Sequence, residues 1–232
     1  MKKMNAIATS VLVLVSSFWG MTLQAQQDAK SKTILQNVSR LYKSYSTITA
    51  DFTLTTKAAK RKPVSSTGKL WTKGQSFKLA YADQEIFCNG ITIWAYSPDD
   101  AEVTIEDVKK RTNNMEPSEL FTFYSKGFKA NYEGPVASDD GKAMHDVLKL
   151  VPKKKEKYSY IKAEIEQGSY KIKKVTQYYK NGTEVIIAVT KVVPNTKLDD
   201  GFFAWNASAH PGVASVDLRK TNPVVKPGPK KK

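Results

Sequence analysis

Residues 171–190 read KIKKVTQYYKNGTEVIIAVT, two runs rich in β-branched and aromatic residues on either side of Asn181-Gly182. Asn-Gly between such runs is the strongest short-range hairpin signal, because both residues tolerate the positive φ of a type I′ turn. The stretch predicts an antiparallel hairpin. The same period-two alternation recurs outward from it. Ala50, Phe52 and Leu54 alternate with Asp51, Thr53 and Thr55; Phe77, Leu79 and Tyr81 alternate with Lys78 and Ala80; Val103 pairs with Ile105, and Val147 leads into Leu148–Val151. About ten short strands without intervening helices predict one antiparallel sheet curled on itself. Asp139-Asp140-Gly141 and Asp199-Asp200-Gly201 mark further turns.

Two segments break the alternation. From Ala29 to Tyr45, Ile34, Leu35, Val38, Leu41, Tyr42 and Tyr45 recur at spacings of three and four, with Lys32, Gln36, Ser39, Arg40 and Lys43 opposite. That pattern predicts an amphipathic helix that must lie against something apolar. A shorter helix is expected after Met115-Glu116-Pro117, where Pro117 suits a first turn and Leu120, Phe121, Tyr124 and Phe128 supply the apolar side.

The N-terminus has the order of a secretory signal peptide: Met1-Lys2-Lys3, an apolar stretch from Ile7 to Met21, and Ala25 as a small residue at the cut. Residues 1–25 are read as that signal, against the alternative of an uncleaved anchor. Thr9, Ser10, Ser16 and Ser17 interrupt the ~20 consecutive apolar residues a span needs. Export of the remainder follows, with residues 26–220 as a single domain and 221–232, rich in Pro and Lys, as a disordered basic tail. No cysteine stands directly after the apolar stretch, so the mature N-terminus has no thiol to lipidate and the exported product is expected to be free rather than lipid-tethered. Cys88 is the only cysteine of the 232 residues, so no intramolecular disulfide can form and packing must supply the stability.

The formal net charge is +15, clustered at Lys57–Lys62, Lys109-Lys110-Arg111, Lys153-Lys154-Lys155 and Lys230-Lys231-Lys232. None of these runs interleaves aromatic residues as a stacking platform for nucleic acid would, so no nucleic-acid partner is expected. The clusters suit solvated loops attracted to acidic partners or anionic lipid. Catalytic chemistry is thinly represented. The two histidines, His145 and His210, sit in no recognisable motif, Cys88 reads as a small apolar residue at a strand end, and no metal-ligand spacing or phosphate-binding glycine loop is present. No enzyme activity, cofactor or metal is expected. Large apolar residues at many inward positions are compatible with a filled core or with a ligand cavity, and composition does not separate the two.

The order of several short motifs resembles that of the periplasmic outer-membrane lipoprotein carrier proteins, the LolA family. The motifs are Ala50-Asp51-Phe52, Ser66-Thr67-Gly68-Lys69-Leu70-Trp71, Phe77–Tyr81, Asn89-Gly90-x-x-Ile93-Trp94-x-Tyr96, Pro117–Leu120, Phe202-Phe203, Pro211-Gly212-Val213 and Asp217-Leu218-Arg219. The resemblance implies a half-open antiparallel β-barrel of about eleven strands, mainly β with α, lidded by helices. It implies an apolar hollow that carries acyl chains of lipoproteins from the inner to the outer membrane. The implied partners are acylated lipoproteins, an inner-membrane lipoprotein-releasing transporter and an outer-membrane receptor. The acyl-contacting residues would be Phe52, Leu54, Leu70, Phe77, Leu79, Trp94 and Tyr96, and the lid residues Leu35, Val38, Leu41 and Leu120. Gly74 stands where the family often has an arginine that helps close the lid, which leaves that task to Lys73 or makes the lid looser. A non-catalytic sensor of lipids or lipoproteins on the same fold is the alternative, and an enzyme acting on an apolar substrate a more distant one.

Overall fold

The computed structural model describes residues 29–109, 121, 127–219 and the backbone of 110 and 224–226. The proposed signal segment, the shorter helix expected after Met115-Glu116-Pro117 apart from Phe121 and Phe128, Leu120 included, and Lys230–Lys232 lie outside the described residues. Among the described residues there is one α-helix, α1, covering 29–43. Thirteen strands follow: β1 (Ile48–Lys57), β2 (Val64–Lys73), β3 (Ser76–Tyr81), β4 (Gln84–Cys88), β5 (Thr92–Ser97), β6 (Glu102–Asp107), β7 (Phe128–Ala137), β8 (Met144–Pro152), β9 (Tyr158–Glu166), β10 (Ile172–Tyr179), β11 (Glu184–Pro194), β12 (Ala214–Asp217) and β13 (Val224–Lys226).

All thirteen join one sheet in the order β13-β12-β6-β5-β4-β3-β2-β1-β11-β10-β9-β8-β7. The two edges do not meet, so the barrel stays half open, as the motif resemblance implied. Register irregularities between Asp51 and Phe52 on β1, Ile172 and Lys174 on β10, and Tyr132 and Gly134 on β7 add the twist that curls the sheet. Every pairing is antiparallel except that of β12 with β6. The parallel pair arises because residues 195–213 cross from the end of β11 to the far edge.

Sequence and structure part at four places. Phe128 begins β7, opposite Pro152, rather than ending a helix; a strand there finds an extended partner in β8. The 10-residue β7 alternates less cleanly, and its Pro135 and Gly134 disguise it. Val224–Lys226 pairs with β12, so a short strand lies inside the segment expected to be a disordered tail; two β-branched valines meet an otherwise open edge. At the β10–β11 hairpin, Gly182 has φ +80° but Asn181 does not have a positive φ. The Asn181 Oδ1 instead accepts a 3.0 Å hydrogen bond from the Thr183 N–H. The longer loop replaces the two-residue turn expected.

The fourth is a turn with no sequence signal. Tyr81 pairs with Gln84, so Ala82 and Asp83 form a two-residue loop, with φ of +45° and +61°. Both are in the left-handed region that a type I′ turn demands. Alanine pays for its Cβ there, on the order of 1 kcal/mol. Replacing the pair with the preferred residues, Ala82→Asn with Asp83→Gly, is expected to stabilise the protein by about 1 kcal/mol. Thermal denaturation should show a rise of about 2–4 °C; an unchanged or lowered midpoint would refute the strain.

The pleat sends alternate residues to two different environments. On the inner face, Ala50, Phe52, Leu70, Phe77, Cys88, Ile93, Leu148, Leu150, Ile161, Ala163, Ile165 and Val175 form one buried cluster with Ile34, Val38 and Tyr42 of α1. Burial of Ser31, Ile34, Val38 and Tyr42 traces the three-four stripe read from the sequence. Gly68 opposes Phe52, and a Cβ on Gly68 would lie 2.3 Å from the Phe52 ring and 2.9 Å from the Ala80 carbonyl. The missing side chain is what lets that ring lie flat on the wall.

Candidate functional site: the lidded inner wall

α1 is fixed over the inner face at both ends. Near its start, the Lys30 ammonium donates to the Tyr132 hydroxyl at 2.7 Å and lies 3.7 Å from Asp146. The Tyr132 hydroxyl donates to Asp146 at 2.9 Å, the Gln167 amide donates to the same carboxylate oxygen at 2.8 Å, and the Ser31 hydroxyl donates to the Ala130 carbonyl at 3.1 Å. The hydrogen bond from Lys30 to Tyr132, ahead of the nearby Asp146 charge, holds the ammonium above its ordinary pKa. Removing a partner from such a network leaves polar groups unpaired, which is why it can act as a clasp.

At the other end, Tyr42 stacks on Phe121 with ring centroids 4.7 Å apart, and its hydroxyl accepts the Ile172 N–H at 3.0 Å. Just beyond the helix, Asn195 Oδ1 accepts from the Ser46 N–H at 2.9 Å, and the Thr47 hydroxyl donates to the Thr196 carbonyl at 2.7 Å. Burial of Tyr42 outweighs the Ile172 hydrogen bond and pushes its phenol up to about 12. A raised folded-state value means that the native protein keeps this proton longer than the unfolded chain does. Its contribution is fully present below about pH 10 and is lost as pH rises towards 12. Stability of the wild-type chain should therefore fall by an extra ~2 kcal/mol over that window relative to Tyr42→Phe. Denaturant titrations at pH 9 and pH 11.5 would show it, and equal declines in the two proteins would exclude Tyr42 as the cause.

Beneath this end of α1 lies a pocket of about 490 Å³, within the range of small-ligand sites. Tyr42, Tyr45, Ile48, Phe77, Cys88 and Val108 supply much of its wall, and the β2–β3 and β4–β5 turns form its rim through Gly74, Gln75 and Gly90. Gly74 has φ +58° as the first residue of a two-residue turn between Lys73 and Ser76, a position that glycine fills at least cost. That conformational demand accounts for Gly74 at the place where the arginine was looked for. Lys73 does not hold the helix. Its ammonium donates to the Leu198 carbonyl at 3.1 Å and to Asp200 at 2.8 Å, on the other face of the sheet.

The residues expected to contact acyl chains divide between the faces. Phe52, Leu70 and Phe77 are buried in the inner cluster, and Leu54 and Leu79 are partly buried against it. Of the expected lid residues, Val38 is fully buried against the wall, while Leu35 and Leu41 flank the stripe and are partly buried. Trp94 and Tyr96 require correction. Cys88 pairs with Ile93 and Ile86 with Ala95 on the inner face, which sends Trp94 and Tyr96 outward beside Phe87.

The outer face there is not bare. The segment 199–213 folds over it, placing Trp205 with its ring centroid 4.9 Å from that of Tyr96 and 5.8 Å from that of Phe87. His210 stacks on Trp205 at 4.0 Å, Phe202 meets Trp71 at 5.4 Å, and Phe203 is fully buried. The Lys78 ammonium lies 4.5 Å from the Phe87 ring centroid and 2.9 Å from Glu85. This second small core was not foreseen, although the aromatic run Phe202-Phe203-Ala204-Trp205 was its available signal.

Cys88 and the two histidines do not converge. Cys88 ends β4 at the inner pocket. His145 is buried on the outer side of β8, 3.3 Å from Glu164, and His210 lies in the aromatic layer around Trp205. Among the described residues, no cluster of three His, Cys, Asp or Glu side chains could hold a metal ion.

The fold has counterparts among solved structures at low sequence identity. A conserved protein from Thermus thermophilus is 11% identical with a TM-score of 0.54, covering 82% of this chain and 99% of that one. A LolA superfamily protein from Nitrosomonas europaea is 12% identical with a TM-score of 0.43, covering 75% and 97%. An outer membrane lipoprotein-sorting protein domain from Vibrio parahaemolyticus is 13% identical with a TM-score of 0.48, covering 78% and 98%. No curated protein sequence matches the chain. The sequence does match, over residues 43–206, the family described as outer membrane lipoprotein carrier protein LolA, and that match covers well over half of the chain. With its half-open sheet and helix-covered inner wall, this protein belongs to the LolA family.

Proposed function

We propose that this protein is a non-catalytic periplasmic carrier that shelters the acyl chains of lipoproteins against its inner wall and takes them from the inner to the outer membrane. The observation that carries this reading is α1 itself. It lies on an apolar wall through Ile34, Val38 and Tyr42, is tied down by hydrogen bonds at its ends, and leaves a 490 Å³ pocket under its C-terminal end. A helix held in that way can be exchanged for another apolar occupant.

The energetics give such a carrier its purpose. At ~0.8 kcal/mol per methylene, a chain of about sixteen carbons costs roughly 12 kcal/mol to expose to water. Full recovery of that energy would make release impossible. When cargo displaces α1, however, the buried faces of Ile34, Val38 and Tyr42 lose their own contacts, and the net affinity falls to the difference. Direction then follows from the relative affinities of a releasing transporter in the inner membrane, the carrier, and a receptor in the outer membrane. Phe52, Leu54, Leu70, Phe77 and Leu79 are the wall positions assigned to the cargo.

Native mass spectrometry of protein purified from its own host tests the reading. An added mass that matches an acylated species is expected, and its loss after Val38→Asp, which puts a charge on the lid seam, would tie it to the wall. Repeated recovery of the protein without any acylated species would overturn the proposal. Depletion in the host should also strand lipoproteins in the inner membrane.

A further inference from the structure

Two of the basic clusters, Lys57–Lys62 and Lys153–Lys155, separate in sequence, meet at one end of the sheet. Lys57 at the end of β1 pairs with Glu184 at the start of β11, and Tyr179 at the end of β10 pairs with Tyr158 at the start of β9. The β1–β2, β10–β11 and β8–β9 loops are therefore neighbours on a single rim. The Lys180 ammonium donates to the Glu156 carbonyl at 2.8 Å, directly joining two of them. The three loops carry Lys57, Lys60, Arg61 and Lys62, then Lys180, then four lysines between 153 and 157, all exposed. Against these nine positive charges stand Glu156 and Glu184. Among the described residues none of the nine side chains takes part in an ion pair. Among the described residues, the β3–β4 and β5–β6 loops of this rim carry Asp83, Asp99 and Asp100 and neither lysine nor arginine.

We infer that this rim docks the protein on an anionic phospholipid surface. Three observations favour lipid over an acidic protein. Eight of the nine cations are lysines, flexible point charges suited to a fluid headgroup layer rather than to a fixed pattern of carboxylates that rewards arginine. Val64, 71% exposed, follows Lys60–Lys62 and Pro63 directly, placing an apolar side chain among the cations where it can enter the interface. Behind the loops stand paired tyrosines, Tyr158 with Tyr179 at 6.4 Å and Tyr160 with Tyr178 at 4.5 Å, the amphipathic rings found at headgroup level. The pocket lies at the opposite end of β1, about 30 Å away along the strand. Docking by the rim leaves the pocket free to meet a partner, and it does not depend on the acyl-carrier reading.

Co-sedimentation of the exported chain with vesicles tests the inference. Binding is expected to vesicles of 70% phosphatidylcholine and 30% phosphatidylglycerol in 50 mM salt, at least tenfold weaker in 300 mM salt, and undetectable on phosphatidylcholine alone. Lys60→Glu, Lys62→Glu, Lys153→Glu and Lys154→Glu together should weaken it at least tenfold. The same charge change at the other end, Lys109→Glu, Lys142→Glu, Lys171→Glu and Lys197→Glu, should retain most of it. Equal loss in the two variants would reduce the effect to net charge and overturn the docking surface. So would equal binding to neutral vesicles, or no vesicle binding while the rim variant loses affinity for polyglutamate, which would assign the rim to an acidic protein. The rim variant should keep its affinity for a fluorescent acyl-peptide in solution. A wild-type chain that binds vesicles but not that probe would sink the carrier reading and leave this one standing.

Discussion

Phe203→Ala should lower the stability of the protein by about 3–5 kcal/mol, although the residue belongs to a segment between strands rather than to the sheet. Phe203 is fully buried in the outer aromatic layer, where Phe202 meets Trp71 and Trp205 covers Phe87 and Tyr96. Removing its ring leaves a cavity that those neighbours, held by Lys73 to Leu198 and Asp200, can close only in part. A fall in the thermal midpoint on the order of 10 °C is expected. Affinity for an acyl-peptide, measured well below that midpoint, should be unchanged, because the layer lies on the face away from α1. A small loss of stability would mean that residues 199–213 are not part of the core. A large loss of affinity at full folding would mean that the two faces are not separate in function.

Closing the pocket should have the opposite profile. Gln75 stands on its rim and Val108 on its wall, so Gln75→Trp together with Val108→Trp replaces free volume with two indole rings. Affinity for the same acyl-peptide is expected to fall tenfold or more, while the midpoint moves by only a few degrees, since Gln75 is exposed and Val108 borders empty space. Fluorescence titration with the acyl-peptide, beside a melting curve, makes the comparison. Unchanged affinity in the folded double variant would move the acyl site away from this pocket and along the wall towards Leu54 and Leu79. Together the two variants separate what holds the fold from what binds the cargo.

Much of the sheet was legible because strand pattern is local. Ala50-Phe52-Leu54, Phe77-Leu79-Tyr81 and the hairpin around Asn181-Gly182 each carry their own alternation, and α1 carries its own three-four stripe. β7 was less legible, since Gly134 and Pro135 interrupt its alternation and its extended form depends on β8. The turn at Ala82-Asp83 was hidden because its conformation is imposed by the pairing of Tyr81 with Gln84, not preferred by its residues.

The candidate site was legible only on one side of the pleat. Phe52, Leu70 and Phe77 fell on the inner wall because their strands have a single apolar face. Trp94 and Tyr96 could not be placed in that way, since Ile93 and Ala95 are apolar too and β5 is covered on both sides.

The sequence by itself determined the local elements: where strands alternate, where a helix has one greasy stripe, and that neither a disulfide nor an evident catalytic motif is at hand. The tertiary structure decided which apolar face became a lidded wall and which became a sealed aromatic core, and it gathered lysines a hundred residues apart onto one rim. The reason is physical. A side chain's alternation fixes only that it opposes its neighbour, whereas the partner brought over each face, α1 on one and residues 199–213 on the other, is set by long-range pairing that no short window of sequence contains.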